Sequence, residues 1–245
     1  MDSQVLEAQV GVLLKRLSLR LAVAESCTGG LVGHRLTNVP GSSAYYLGSI
    51  TAYAYEVKIH LLGVQQKTLE LYGAVSKETV LEMATGVRKV MGADIGISIS
   101  GVAGPDGGSP EKPVGLVWIG LSTDRTETAW KHLWQGDRLK IKEQSVQQAL
   151  QNLVNYLDQI EKHRQAEFVD VTVRFNREGM IEPVDFTLRE QRIRIDSTGR
   201  QWEDAVGRHI LVMDLASQVY ELVFTPSEGK WSVKSLENRS KTPVL

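Results

Sequence analysis

The chain has 245 residues, 42% of them hydrophobic and 23% charged, enough for one large domain or for a medium domain plus a small one. With 28 basic and 29 acidic residues it generates no global field to draw it onto nucleic acid or an anionic membrane, so neither partner is expected. A single cysteine, Cys27, excludes an intramolecular disulfide. No apolar run approaches the roughly 18 residues of a membrane span, and the first residues carry no signal-peptide pattern, so a cytoplasmic protein is expected.

Val5, Leu6, Val10, Leu13, Leu14 and Leu17 recur at helical spacing and predict an amphipathic helix over residues 4–18. Residues 21–24 form a short apolar run that ends at the polar pair Glu25-Ser26, the pattern of a buried strand. Thr28-Gly29-Gly30 opens a second helical pattern, and residues 38–43 are a turn cluster. A strand follows at 46–53, then a helix from the N-cap Ser76 to about residue 90 and a strand at 95–99. After the glycine-rich stretch 101–109, residues 114–122 and 127–134 are strand-like and suited to pairing, and a long helix over 139–160 closes the region. This order predicts a three-layer α/β/α sandwich on a mixed, mostly parallel sheet, occupying residues 1–164. Beyond it, short β-forming runs at 169–175, 185–188, 192–196, 209–213, 220–224 and 230–233 are separated by turn signals, Ser197-Thr198-Gly199 among them. Residues 165–245 therefore read as a small antiparallel barrel or sandwich, with no function assigned.

In an α/β sheet, ligands bind beyond the carboxyl ends of the strands. Both polar clusters, 25–30 and 100–109, directly follow apolar strands and so share that edge. Ser26 or Thr28 at a strand-to-helix junction has two readings: a simple helix cap, or a group placed where unpaired helix amides stabilise an oxyanion. Gly29 and Gly30 let a ligand approach the backbone. A serine nucleophile needs a base, and none of the five histidines sits at a strand end beside the glycine loops. Lysine serves if burial keeps it neutral, and Lys58 lies at the start of a short helix after a strand; the competing reading is a solvated surface lysine. Cys27 is a rival nucleophile, with a small buried cysteine as the alternative. The loop 101–109 is either an anion-binding turn or a plain connection. No His/Cys/Asp cluster has metal-ligand spacing, and neither metal nor cofactor is expected.

Several segments taken together carry a resemblance: Ala24-Glu25-Ser26-Cys27-Thr28-Gly29-Gly30, Val39-Pro40-Gly41-Ser42-Ser43-Ala44-Tyr45, Leu61-Leu62-Gly63-Val64, Gly73-Ala74-Val75-Ser76, Ser100-Gly101-Val102-Ala103-Gly104-Pro105-Asp106-Gly107-Gly108 and Pro110-Glu111-Lys112-Pro113-Val114-Gly115. In order and spacing, over about residues 5–160, they resemble the CinA C-terminal domain family of nicotinamide-nucleotide amidohydrolases and competence-damage-inducible proteins. The resemblance implies deamidation of nicotinamide mononucleotide to nicotinate mononucleotide and ammonia by a Ser/Lys mechanism, with Ser26 and Lys58 as the catalytic pair. It also implies substrate contacts at Tyr55, Ser100 (where a threonine is expected) and Arg138. Beside these, Thr28, Gly29, Gly30, Gly101 and Gly104 are candidate substrate-binding positions, with the loop 101–109 and Arg138 on the phosphate and ribose. A homodimer is implied as well. Family members often carry an additional N-terminal domain linked to pyrophosphatase activity; this chain is without it, and no such activity is expected. The alternative reading is a catalytically silent nucleotide-binding protein or a competence-related adaptor. In the C-terminal region, Arg192 and Arg194 on one strand face, with Arg189 nearby, form either a basic strip or an ordinary solvated face, and Trp202 and Trp231 read as core.

Overall fold

The computed structural model describes residues 3–164, 167–204 and 206–236. The chain divides into two compact units, Met1–Asp158 and Gln159–Leu245. Residues 165 and 166, where the sequence places the domain boundary, lie outside the described residues.

The first unit is built on a five-stranded sheet in the order β2-β1-β3-β4-β5. Its strands are β1 (Leu21–Glu25), β2 (Tyr46–Thr51), β3 (Ile95–Gly101), β4 (Leu116–Ser122) and β5 (Glu127–Leu133). β1 runs parallel to both β2 and β3, whereas β3–β4 and β4–β5 are antiparallel. The sheet is thus mixed, with parallel and antiparallel pairing in equal measure. The cause lies in the connections. Helical crossovers precede β2 and β3, but only the glycine- and proline-rich loop separates β3 from β4, and without a crossover helix the chain returns antiparallel.

The helices are α1 (Ser3–Leu17), α2 (Leu31–Thr37), α3 (Tyr55–Leu62), α4 (Gln66–Tyr72), α5 (Lys77–Met91) and α6 (Arg138–Arg164). Ser76 caps α5 as its sequence position predicts, its hydroxyl accepting from the Thr79 amide at 3.2 Å. α5 lies close against the sheet because the strands offer it only small residues. A Cβ on Gly96 would stand 2.1 Å from the Ala84 carbonyl oxygen, and one on Gly120 would stand 2.5 Å from that of Val80. Ala22, Ala24, Met83 and Val87 fill the core on this face, with Leu62, Val64 and Leu69 from α3, α4 and their connection. Alternation along β1 sends Glu25 to the opposite face, where α2 lies. There Arg35 of α2 pairs with Glu7 of α1 and donates to Gln147 of α6 at 2.9 Å, linking three helices. The long α6 buries Ile141, Val146, Ala149, Leu150, Leu153, Val154 and Leu157, an apolar stripe at helical spacing.

The second unit is a closed, six-stranded antiparallel barrel of β6 (Glu167–Phe175), β7 (Ile181–Leu188), β8 (Gln191–Glu203), β9 (Arg208–Asp214), β10 (Val219–Thr225) and β11 (Lys230–Leu236). Each strand pairs with the next and β11 closes onto β6. Closure removes sheet edges, which settles barrel over sandwich. Ser197-Thr198-Gly199, read as a turn in the sequence, lies inside β8. The strand is irregular there, between Ile195 and Ser197 and again between Thr198 and Gln201, and so bends from its pairing with β7 to its pairing with β9. Phe186, Ile210, Val212, Tyr220, Leu222 and Val233 form the barrel core, with Trp231 packed against it. Arg192 and Arg189 are ion-paired with Asp185 at 2.6 Å and Glu167 at 3.4 Å, which makes that face a paired, solvated one rather than an open basic strip. Among the described residues no helix is long and apolar enough to cross a membrane.

Candidate active site

β1 and β3 end side by side, and the ladder continues one residue past β1: the Ser26 amide donates to the Ile99 carbonyl at 2.9 Å. On the other side the Ala52 amide donates to the Glu25 carbonyl at 2.8 Å, which pins the end of β2 beside Ser26. α3 begins three residues later and carries Lys58 back over this junction. Its Nζ lies 3.1 Å from Ser26 Oγ, 2.6 Å from the Ala52 carbonyl oxygen and 3.2 Å from that of Tyr53. The two candidates separated by 32 residues thus meet as a hydrogen-bonded pair.

Lys58 is 1% exposed, and among the described residues no carboxylate reaches it. Burial lowers its pKa to about 8, the larger of two opposing effects, and the nearby Cys27 sulfur acts the other way. A neutral amine has two N–H groups and one lone pair. The two backbone carbonyls accept both N–H groups, so the lone pair is directed at Ser26 Oγ. Protonated, the same nitrogen donates to Oγ instead. The site therefore holds both protonation states in one geometry, and its pKa lies close to neutral pH.

Glu25, adjacent to the serine, is fully buried and organises the loop. Its Oε2 accepts from the Gly30 and Val32 amides at 3.0 and 3.1 Å, and its Oε1 accepts from the Gly33 amide at 3.0 Å. A carboxylate from β1 thus caps α2 in place of a local side chain. Gly30 makes this possible: its φ of 95° turns the chain through the left-handed region, which is why α2 starts at Leu31 rather than at Thr28. The start of α2 is consequently occupied, and a substrate anion cannot use those amides. The Gly29 amide is also committed, to the Ser26 carbonyl at 3.1 Å. Among the described residues the Cys27 and Thr28 amides of this loop, with that of Leu31, have no backbone acceptor, and the Cys27 amide is directed at its own thiol. Ser26 itself is not the helix cap that the sequence allowed it to be.

The other candidates divide. Ser100 is buried and its hydroxyl donates to the Ala74 carbonyl at 2.7 Å, fixing the turn before α5. A Cβ at Gly101 would meet Val117 and the Leu116 carbonyl within 2.7 Å, so this glycine answers to packing at the end of β3. The Gly104 carbonyl accepts from Arg138 Nη1 at 2.8 Å. The Thr28 side chain is fully buried, its hydroxyl without a partner among the described residues. Tyr55 is half exposed and its hydroxyl accepts from the Ala74 amide at 3.4 Å, away from the dyad. Two residues before it, the Tyr53 carbonyl accepts from Lys58 Nζ and the Tyr53 hydroxyl accepts from Arg138 Nη2 at 3.0 Å. Sequence reading missed Tyr53 and Glu25, although each lies within five residues of a residue it chose. Cys27 is buried and its thiol is pushed up to about 12, chiefly by burial. A thiolate is therefore scarce there at neutral pH, which weighs against Cys27 as the rival nucleophile. A separate groove lined by Glu7, Leu31, His34, Arg35, Asn38 and Gln144 lies on α1, α2 and α6 and includes neither dyad residue.

Residues 3–157 match the CinA C-terminal domain. The CinA-like protein of Thermotoga maritima is 46% identical over 156 residues, which are 64% of this chain and 38% of that protein. The CinA-like protein of Dictyoglomus thermophilum is 52% identical over 138 residues, 56% of this chain and 33% of that one. The chain thus spans little more than a third of the length of these curated relatives. Solved structures align over nearly their whole length. A CinA superfamily protein from Klebsiella pneumoniae has a TM-score of 0.63 at 33% identity, covering 65% of this chain and 99% of its own. The competence/damage inducible protein CihA of Agrobacterium tumefaciens has a TM-score of 0.62 at 35% identity, covering 64% and 96%.

Proposed function

The chain belongs to the CinA C-terminal domain family over residues 3–157, and from that premise we propose that it is an amidohydrolase acting on nicotinamide mononucleotide through Ser26 and Lys58. The observation that carries the reading is the buried contact of 3.1 Å between Lys58 Nζ and Ser26 Oγ, with two backbone carbonyls aiming the amine at the hydroxyl. A surface lysine and a capping serine would have neither the burial nor the alignment.

Neutral Lys58 takes the Ser26 proton as Oγ attacks the carboxamide carbon. The carbonyl oxygen becomes an oxyanion, for which the amides of Cys27 and Thr28, bonded to no other backbone group, are the donors. Protonated Lys58 then gives its proton to the nitrogen, the C–N bond breaks and ammonia leaves. A water attacks the resulting ester, Lys58 accepts one of its protons and passes it to Ser26 Oγ, and the acid that departs ionises to the carboxylate by losing the other proton to solvent. Each step uses the one lone pair that the carbonyls of Ala52 and Tyr53 leave free. Glu25 takes no part in proton transfer; it fixes the turn on which the nucleophile and the two donors sit.

Ammonia release from nicotinamide mononucleotide by the pure protein, with Ser26→Ala and Lys58→Ala alongside, tests the reading. Turnover by wild type and loss in both folded variants supports it. A wild type that binds the nucleotide without releasing ammonia makes the chain a binding protein instead.

A further inference from the structure

The groove on α1, α2 and α6 has a volume of about 830 Å³, within the range of small-molecule sites, and lies apart from the dyad. Glu7 of α1 lines it and is only 5% exposed. Its Oε1 is paired with Arg35 Nε. Its Oε2 is buried and accepts no hydrogen bond among the described residues. Gln144 Oε1, on the α6 side of the same groove, is a second buried acceptor without a donor. Both oxygens have given up their hydration and gained nothing for it, which is costly, most of all for the carboxylate. What the groove is short of is a donor that carries positive charge.

We propose that this groove binds a small primary amine in its protonated form, the ammonium donating to Glu7 Oε2 and Gln144 Oε1 and the hydrocarbon stem lying along Leu31 and Val39. The charge balance of the lining favours a cation: apart from His34, two carboxylates, Glu7 and Glu143, stand against the one guanidinium of Arg35. An ammonium suits the place better than a guanidinium, whose planar fork takes both oxygens of a carboxylate, because Oε1 is already committed to Arg35. A bare metal ion is the poorer fit, since among the described residues no three metal-ligating side chains gather. The half-buried Gln144 side chain turns about its rotatable bonds to admit the ammonium and present its oxygen. The site includes neither Ser26 nor Lys58, so it stands whether or not the chain releases ammonia.

The test is an NMR titration of the full chain with hexylamine and, as its uncharged counterpart, 1-hexanol. Hexylamine is expected to bind saturably, moving the Gln144 side-chain amide and the Leu31 backbone amide, with 1-hexanol at least about tenfold weaker. Glu7→Gln removes the charge and weakens hexylamine about 10- to 100-fold while leaving 1-hexanol unchanged. That variant also breaks the pair with Arg35, so Gln144→Leu, which keeps the pair, is measured beside it and weakens hexylamine about 2- to 10-fold. Equal binding of the two probes overturns the proposal, as do shifts confined to the Ser26 loop or an affinity unchanged in both variants. Absence of saturable binding overturns it too, and the two oxygens are then simply tolerated within the fold.

Discussion

Among the described residues each unit buries one titratable cation, and the two are treated in opposite ways. In the α/β unit Lys58 is surrounded by carbonyls and a hydroxyl, with no carboxylate in reach, and its pKa falls to about 8. In the barrel His209 stacks on Trp202 and lies between two acids, 2.8 Å from Glu221 through Nδ1 and 2.9 Å from Asp204 through Nε2. Burial alone would lower its pKa, yet the carboxylates outweigh it and raise the value to about 9. The Nε2 contact is an ion pair without hydrogen-bond alignment. The same desolvation thus yields a base in one unit and a fixed cation in the other, and the difference is the presence of counter-charge. A group held as His209 is held serves the fold, whereas one held as Lys58 is held gives up its proton near neutral pH and can do chemistry.

The sharpest way to break that contrast is to remove Lys58. Lys58→Met is expected to reduce ammonia release by at least about a thousandfold. It should at the same time raise stability at pH 7 by on the order of 3 kcal/mol, since a shift of about 2.5 units costs that much when the buried amine is protonated. Chemical denaturation checks the second half; a destabilised variant would mean that the hydrogen bonds of Lys58 outweigh its charge burial. Ser26→Ala is expected to lose activity to a similar extent without the gain in stability.

Changing pH sharpens the same comparison. For Lys58, activity should rise through about pH 8 as the amine becomes neutral. The unfolded chain keeps this proton up to about 10.5 while the folded site has released it, so the Lys58 contribution to stability increases between those values. His209 behaves in reverse. Its folded pKa is raised, so its contribution is complete below about 6.5 and is lost as pH rises through about 9. The barrel is therefore expected to weaken over the alkaline range in which the dyad becomes more active. Near pH 7, Glu221→Gln should cost the barrel about 1–3 kcal/mol by leaving part of that charge unpaired. Hydrogen exchange resolved by unit measures it, and a uniform loss across both units would refute a barrel-local effect.

The sequence made the strands and a buried helix face of the first unit legible because both follow from short-range period, as in residues 21–24 and the apolar spacing from Val5 to Leu17. Its reading of Ser26 and Lys58 depended on ordered motifs, since nothing local to Lys58 distinguishes it from a surface lysine; its burial comes from the end of β2 being pinned to Glu25. Glu25 itself looked like the polar end of a strand, and only the φ of 95° at Gly30 lets its carboxylate reach three amides. Tyr53 and Tyr55 lie two residues apart at the start of α3, and the sequence gives no sign that their hydroxyls reach different partners, Arg138 and the Ala74 amide. In the barrel, Ser197-Thr198-Gly199 carries the composition of a turn and acts as a bend within β8, because pairing with β9 supplies the ladder that local propensity denies.

The smallest expected effect concerns Cys27, and it is the one that tests the role of desolvation most directly. Cys27 and Lys58 share one buried environment, and burial pushes both towards their neutral forms: the amine becomes a base, while the thiol, held up to about 12, becomes unreactive. If that account is right, Cys27→Ala retains turnover within a few-fold of wild type and costs roughly 1 kcal/mol for the lost packing of one small buried group. Wild type treated with iodoacetamide at pH 7 should likewise keep its activity over times that alkylate a free thiol. Rapid inactivation, with Cys27→Ala resistant to it, would reveal a thiolate at this position. The low pKa of Lys58 could then not be ascribed to burial alone, because the same burial would have failed on the adjacent residue.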